Sequence, residues 1–374
     1  MDALLERDEC SRREISRRTG LASSTVSMII SELTDEGLVH RIGKRDQRAA
    51  GRREEIVARN PAAAAVIGVH YTTDACTFGV IDFGLNVMEE YGLGPGACAP
   101  ESIDRCIVDE VGGILARYAK QRNVMGVVVS LPNNPIRRQM VTDRVAGSVH
   151  VPVYGINNVV AMAMYYGYAP LPHWSRTFCL VYVGTGVGSG LVIDGRAYHG
   201  VHGSASDLGH LSLRDSPIVC RCGLSGCLET FCSLEAISRR IADHYRHSDR
   251  LRADALVEFL DDRLRTGDRY AIGLIDSVCS DLARGLRSLV SILDPGLILI
   301  VSRLNRLNPS FADRVREHFH AASASPDAQA TQLEFCEYRP EAGLVGAGLF
   351  FYRTVLGGPG SSRIDPKHIK EVWS

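Results

Sequence analysis

Near the start of the chain, Val26, Ile29, Ile30 and Leu33 recur at i, i+3, i+4 and i+7, which predicts a helix with one buried face. Ser23, Ser24 and Thr25 stand at its head and are expected to cap it. Ser24, Thr25, Ser27, Met28 and Ser31 fall on the opposite, outward face. Upstream, Ser11-Arg12-Arg13-Glu14-Ile15 predicts a shorter helix with Ser11 as N-cap and an acid in its first turn. Thr19-Gly20-Leu21 breaks the two apart, Gly20 supplying the positive φ that a sharp turn needs. A still shorter helix, Asp2 to Arg7, has only Leu4 and Leu5 to bury and is expected to need cover from elsewhere, such as the last helix of the chain.

Two short helices joined by a tight turn, the second showing small polar side chains, suit insertion into a DNA major groove. The free N–H groups of its first turn can bond phosphate. From position 38 to 59 the chain carries seven bases (Arg41, Lys44, Arg45, Arg48, Arg52, Arg53 and Arg59) against three acids, with Gly43 and Gly51 as turn residues. That is the composition of a basic wing straddling phosphates. Residues 1–60 are therefore expected to form a winged helix-turn-helix. The residues expected to touch duplex DNA are Ser23, Ser24, Thr25, Ser27, Met28, Arg41, Lys44, Arg45, Arg48, Arg52 and Arg53.

Beyond residue 60 the pattern changes. Ala65–Val69 and Thr77–Asp82 predict a strand pair, Val127–Leu131 and Val151–Tyr154 two more strands, and 157–168 a helix. Phe178–Val183 reads as a buried strand. Asp281–Leu293 reads as an amphipathic helix that Asp294-Pro295 stops before a strand at Leu297–Val301. Alternating strands and helices imply an α/β body. No internal repeat stands out. The expected division is a first α/β lobe at 61–178 and a second at 179–374, the last helix returning to the first lobe.

The chain has 374 residues with 45% apolar and 23% charged side chains, ordinary values for a globular protein. Its formal net charge is −1, so any nucleic-acid footprint is local to the wing. Neither an 18-residue apolar run nor a signal-peptide pattern occurs, which leads to the expectation of a cytoplasmic protein with reduced thiols and no membrane segment.

Two motifs carry chemistry. Gly184-Thr185-Gly186-Val187-Gly188-Ser189-Gly190 follows a strand directly; it suits either backbone contact with phosphate or a tight interstrand turn. His210, Cys220, Cys222 and Cys227 offer one imidazole and three thiolates, the thiols at Cys-x-Cys-x4-Cys spacing. Such a set closes a tetrahedral shell around structural zinc and leaves no position open for catalysis.

The stretch Gly209-His210 through Cys220-Arg221-Cys222-Gly223-Leu224-Ser225-Gly226-Cys227-Leu228-Glu229 resembles the zinc signature of the ROK family (repressors, open reading frames and kinases). Gly184–Gly190 resembles its second phosphate loop, and the N-terminus its repressor branch. The resemblance implies a two-lobed, sugar-kinase-like body of the actin-like ATPase type, assembled as a homodimer or homotetramer. It also implies repression relieved by a sugar or sugar derivative. Ligand contacts would fall on Asn157, Asn158, Asp207, His210 and Glu229.

The chain departs from the family's kinases in three places. Ile156-Asn157-Asn158-Val159-Val160 stands where Glu-Asn-Asp-Ala-Asn is usual, so the amide of Asn158 replaces the carboxylate base. His70-Tyr71-Thr72-Thr73-Asp74-Ala75 replaces the first phosphate loop, Asp-x-Gly-Gly-Thr-Lys. Ser302-Arg303 replaces the nucleotide-side Gly-Gly. No catalytic residue is assigned, and a DNA-binding regulator without kinase activity is expected. An ATP-dependent sugar kinase with a DNA-binding appendage and a constitutive DNA-binding protein with a vestigial pocket are the alternatives.

Overall fold

A computed structural model describes residues 2–5, 7, 9–45, 54–72, 75–94, 102–118, 123–132, 134–168, 177–246, 250–251, 253–307, 310–321 and 330–356. The chain opens with α1 (Asp2–Leu5), β1 (Glu9–Ser11), α2 (Arg12–Thr19) and α3 (Ser23–Asp35), followed by β2 (Val39–Arg45) and β3 (Glu54–Arg59). Ser11 and Glu14 form a reciprocal capping box that starts α2, and Gly20 ends it at φ 72°. The cap of α3 differs from the expectation. Ala22 occupies the N-cap with no side-chain bond, and Ser23 is already helical. Leu4, Cys10, Ile15, Val26, Ile30, Val39 and Val57 make a small core of their own. Leu4 and Leu5 of α1 are buried, and β1 adds a third strand, in the order β1-β3-β2, that the short Glu9–Ser11 segment did not suggest.

The next elements are β4 (Ala65–Tyr71), β5 (Cys76–Asp82), β6 (Val87–Leu93), α4 (Ile103–Tyr118), β7 (Val124–Leu131), α5 (Pro135–Ala146), β8 (Val153–Asn157) and α6 (Asn158–Tyr168). Then come β9 (Phe178–Val183), β10 (Val187–Ile193), β11 (Arg196–Tyr198), α7 (Glu229–Cys232), α8 (Leu234–Tyr245), α9 (Ala253–Arg265) and α10 (Arg269–Leu293). β12 (Leu297–Ser302), α11 (Ser310–Ala321), β13 (Gln332–Cys336) and α12 (Ala342–Leu356) complete the described chain.

The chain divides into two compact units. One comprises Met1–Pro132, Ile136–Ala161 and Gly343–Ser374, the other Asn133–Pro135 and Met162–Ala342. Each contains one five-stranded sheet, in the orders β6-β5-β4-β7-β8 and β11-β10-β9-β12-β13. In both, three antiparallel strands are extended by two parallel ones. The same topology thus occurs twice, a repeat that the residues themselves do not display.

In the first unit, Ile103, Ile107, Val111 and Ile114 of α4 pack with Ile67, Val69, Phe78, Val80, Val127 and Val129. A Cβ on Gly79 would lie 2.9 Å from Leu344 of α12, so glycine there lets that helix close onto the sheet. In the second, α10 runs twelve residues further upstream than the segment predicted, and its buried face (Leu274, Val278, Leu282, Leu286) joins the strand core. Cys10, Cys76, Cys179, Cys220, Cys222, Cys227, Cys232, Cys279 and Cys336 are free thiols. Cys106 is disulfide-bonded, so the expectation of reduced thiols fails there. Among the described residues no helix is long and apolar enough to cross a membrane.

Candidate nucleic-acid interface and metal centre

Burying Val26 and Ile30 turns the opposite side of α3 outward. Ser23, Ser24, Met28 and Ser31 are exposed, Met28 at 57%. Thr25 and Ser27 are only half-buried positions on its flank, and Ser27 Oγ accepts from Arg12 Nη1 at 3.3 Å. Arg12 also pairs with Glu55 at 2.7 Å, and Arg41 reaches the same carboxylate at 3.1 Å. Arg12, unmarked in the sequence beyond its place in a cap, therefore ties α2, α3 and β3 together. Lys44 and Arg45 close β2 opposite Glu55 and Glu54, while Arg48, Arg52 and Arg53 lie outside the described residues. Arg59, counted with the wing by its charge, is buried and bonds Phe83 O instead.

His210, Cys220, Cys222 and Cys227 converge: their ligand atoms all lie within 4.8 Å of one another. Cys222 Sγ and Cys227 Sγ are 3.6 Å apart, and Cys220 Sγ is 3.4 Å from His210 Nδ1. Tetrahedral zinc with Zn–S of about 2.3 Å requires edges of roughly 3.6–3.8 Å, which the Cys222–Cys227 pair meets, and one imidazole with three thiols is a donor set that suits the ion. A tight hairpin shapes the site. Cys220 N–H donates to Leu224 O at 2.8 Å and Gly223 N–H to Cys220 O at 2.9 Å. Gly226 sits at φ 79°, and a Cβ there would collide with the Arg214 carbonyl. Burial pushes Cys227 up to about 12 and raises Cys220, whereas the Leu224 N–H draws Cys222 below the usual thiol range. A dication among them would supply the charge that holds all three as thiolates.

Glu229, at the head of α7, is buried, and its Oε2 accepts from Val187 N–H and Arg221 Nη2, both at 2.9 Å. Arg221, between Cys220 and Cys222, was missed in the sequence; its only signal there is a lone base inside the cysteine cluster. Asp207 is exposed, and among the described residues its side chain makes no hydrogen bond. Residues 184–186 make the hairpin turn between β9 and β10, with Gly184 N–H donating to Gly186 O at 2.9 Å, and 187–190 already pair with β9 as strand. The glycines answer to crowding. A Cβ on Gly184 would collide with the Tyr182 ring, and one on Gly186 would lie 2.5 Å from the Glu229 carboxylate. Arg303 makes two bonds to Asp254, at 2.8 and 2.9 Å, and stacks on Tyr338.

In the other unit, Asn157 Oδ1 caps α6 by accepting from Val159 and Val160 N–H at 2.8 and 3.1 Å. The strand β8 extends to Asn157, and α6 begins one residue later than predicted. Asn158 Nδ2 donates to Tyr71 O at 3.2 Å. His70 Nδ1 lies 3.1 Å from Ser130 Oγ, and burial lowers the ring to about 4, so it is neutral at pH 7.

Residues 1–43 match the IclR helix-turn-helix domain and residues 108–353 match the ROK family. A xylose repressor from Caldicellulosiruptor bescii is 24% identical over 393 residues, covering 96% of both chains. The crystal structure of a ROK family transcriptional regulator, a homolog of the E. coli MLC protein, superposes with a TM-score of 0.73 at 20% identity, covering 91% of each chain. A ROK hexokinase from Thermus thermophilus reaches 0.64 at 22% identity, over 79% of this chain and all of that one. The match over 108–353 spans well over half the chain, and the chain belongs to the ROK family.

Proposed function

We propose that this protein is a transcriptional repressor that grips duplex DNA with α3 and the β2–β3 wing. Its sugar-kinase-like body serves as a sensor rather than a phosphotransferase. The observation that carries this reading is the outward face of α3, with Ser23, Ser24 and Met28 exposed behind the Gly20 turn. Small side chains there admit close approach to base edges, with Thr25, Ser27, Arg41, Lys44, Arg45, Arg48, Arg52 and Arg53 as the flanking and backbone contacts.

Loss of kinase chemistry is supported at three places. The Asn158 amide is committed as a donor and has no proton-accepting oxyanion. His70 is neutral and buried. Ser302-Arg303 stands where the resemblance puts a Gly-Gly, and Arg303 is held by Asp254 and stacked on Tyr338.

His210, Cys220, Cys222 and Cys227 would hold one structural zinc. Asn157, Asn158, Asp207, His210 and Glu229 would meet a sugar or sugar derivative of the kind named for the xylose repressor. A homodimer or homotetramer in the cytoplasm completes the proposal. The engagement of Glu229 by Val187 and Arg221 favours a second reading, a constitutive DNA-binding protein with a vestigial pocket.

Thermal-shift titration with D-xylose, other pentoses, hexoses and aminosugars, each with and without ATP, separates the readings. Stabilisation by one sugar without ATP turnover supports the sensor. Turnover revives the kinase. No shift with any sugar supports the constitutive form.

A further inference from the structure

The winged helix and the first large sheet are joined by a short connection, β3 ending at Arg59 and β4 starting at Ala65. Arg59 is 3% exposed. Its guanidinium points into the lobe, Nη1 donating to Phe83 O at 3.0 Å and Nη2 to Gly84 O at 3.4 Å. The next residue binds the other side. Asn60 Nδ2 donates to Gly37 O at 2.8 Å and Asn60 N–H to Leu38 O at 2.9 Å. Gly37 and Leu38 form the turn in which α3 ends. Adjacent residues thus hold the end of the DNA-reading helix and the turn between β5 and β6.

That turn is itself anchored. Phe83 N–H donates to Ala64 O at 3.0 Å, and the Asp82 carboxylate takes the backbone and side-chain N–H groups of Asn86. The Phe83 ring meets Tyr352 edge-on at 4.9 Å, and Tyr352 Oη donates to Ile81 O at 3.1 Å. Tyr352 is fully buried in α12, and the boundary between the two compact units falls at the head of that helix, between Ala342 and Gly343.

We propose that Arg59 is a positioning residue that couples α3 to α12. The path runs Tyr352, the Ile81–Gly84 turn, Arg59, Asn60 and the Gly37-Leu38 turn. Displacement of α12 against the first sheet would then shift the DNA-reading helix, and DNA binding would in turn stiffen α12, since coupling is reciprocal. The physical basis is the cost of separation. Moving either side alone would strand a buried guanidinium without its carbonyl acceptors, so both sides move together. One arm of the test rests on the DNA-binding reading and the other does not.

The test is hydrogen exchange on the full chain, free and with a mixed-sequence duplex at low salt. In the wild type the duplex should protect α3, the 83–86 turn and α12. In Arg59→Met, which keeps the aliphatic stem and removes the donors, protection of α3 should persist while that of α12 is lost. Arg59→Lys should restore part of it. Unchanged α12 protection in Arg59→Met overturns the proposal, as does wild-type protection confined to α3.

If the duplex protects nothing, the DNA-binding reading fails and the free protein decides. Arg59→Met should then exchange about tenfold faster at Gly37–Val39 and 83–86 than the wild type, with β7 unchanged; equal rates overturn the coupling. Should Arg59→Met fail to fold, Tyr352→Phe, which deletes one hydroxyl, takes its place. Faster exchange at Gly37–Val39 supports the path, and unchanged exchange there contradicts it.

Discussion

Asn158→Asp returns a carboxylate to the position where the family's kinases carry their base. Asn158 is 7% exposed, and its amide donates to Tyr71 O at 3.2 Å. The aspartate oxygen would instead face that carbonyl, deleting a donor and opposing two acceptors in a buried place. Leaving a buried acceptor unpaired costs about 1–3 kcal/mol. A negative charge in the first turn of α6 recovers roughly 0.3–1 kcal/mol through the helix dipole, too little to cancel the loss. At roughly 2–4 °C per kcal/mol, the melting temperature at neutral pH should fall by several degrees.

The sign of the pH dependence follows. The new carboxyl, buried without a donor, would have a folded-state pKa above its unfolded value of about 3.9. Its penalty is present above the folded pKa and fades as pH falls through it, because the protonated acid can donate to Tyr71 O. Thermal unfolding of both proteins from neutral to mildly acidic pH measures this difference. A general base contributes about 10²- to 10⁴-fold, but His70 and the Arg303–Asp254 pair remain, so no sugar-dependent ATP turnover should appear. A variant as stable as the wild type at pH 7 that also phosphorylates a sugar would refute the reasoning.

Cys222→Ser should abolish zinc binding, seen as loss of one equivalent by metal analysis, and lower the melting temperature, since a structural zinc contributes on the order of 10 kcal/mol to folding. Gly226→Ala should have a similar effect without touching a ligand, because its Cβ would meet the Arg214 carbonyl at a backbone φ of 79°; full zinc occupancy in that variant would contradict the close fit. Replacing Arg45 and Arg48 together with Ala should weaken binding to all duplexes and reduce the slope of log affinity against log salt by about 2. Met28→Ala should change sequence preference in a selection from random duplexes while leaving that slope intact.

The elements with strong periodicity were readable in advance. Val26 and Ile30 marked the buried face of α3, Ser11 and Glu14 the cap of α2, and the cysteine spacing the four residues that converge. What escaped depends on partners distant in the chain. Arg59 has the charge of a wing residue, yet the carbonyls that bury it come from a turn more than twenty positions away. The 184–190 glycines fit phosphate binding or a turn equally well in sequence. That Gly184 and Gly186 turn a hairpin against Tyr182 and Glu229, while Gly188 and Gly190 lie in β10, depends on pairing the residues do not announce. β1 is three residues long, too short for any alternation to show. The repeated five-stranded topology is invisible because the two sheets reach the same pairing with unrelated residues.

The most direct test is the salt dependence of binding between the intact protein and duplex DNA, measured by fluorescence anisotropy from low to physiological salt. Affinity should fall linearly on logarithmic axes, by about 0.9 in slope for each phosphate neutralised, and should be lost when the wing arginines are replaced. A protein that ignores duplex DNA even at low salt, while transferring phosphate from ATP to a sugar, would be a kinase and not a repressor.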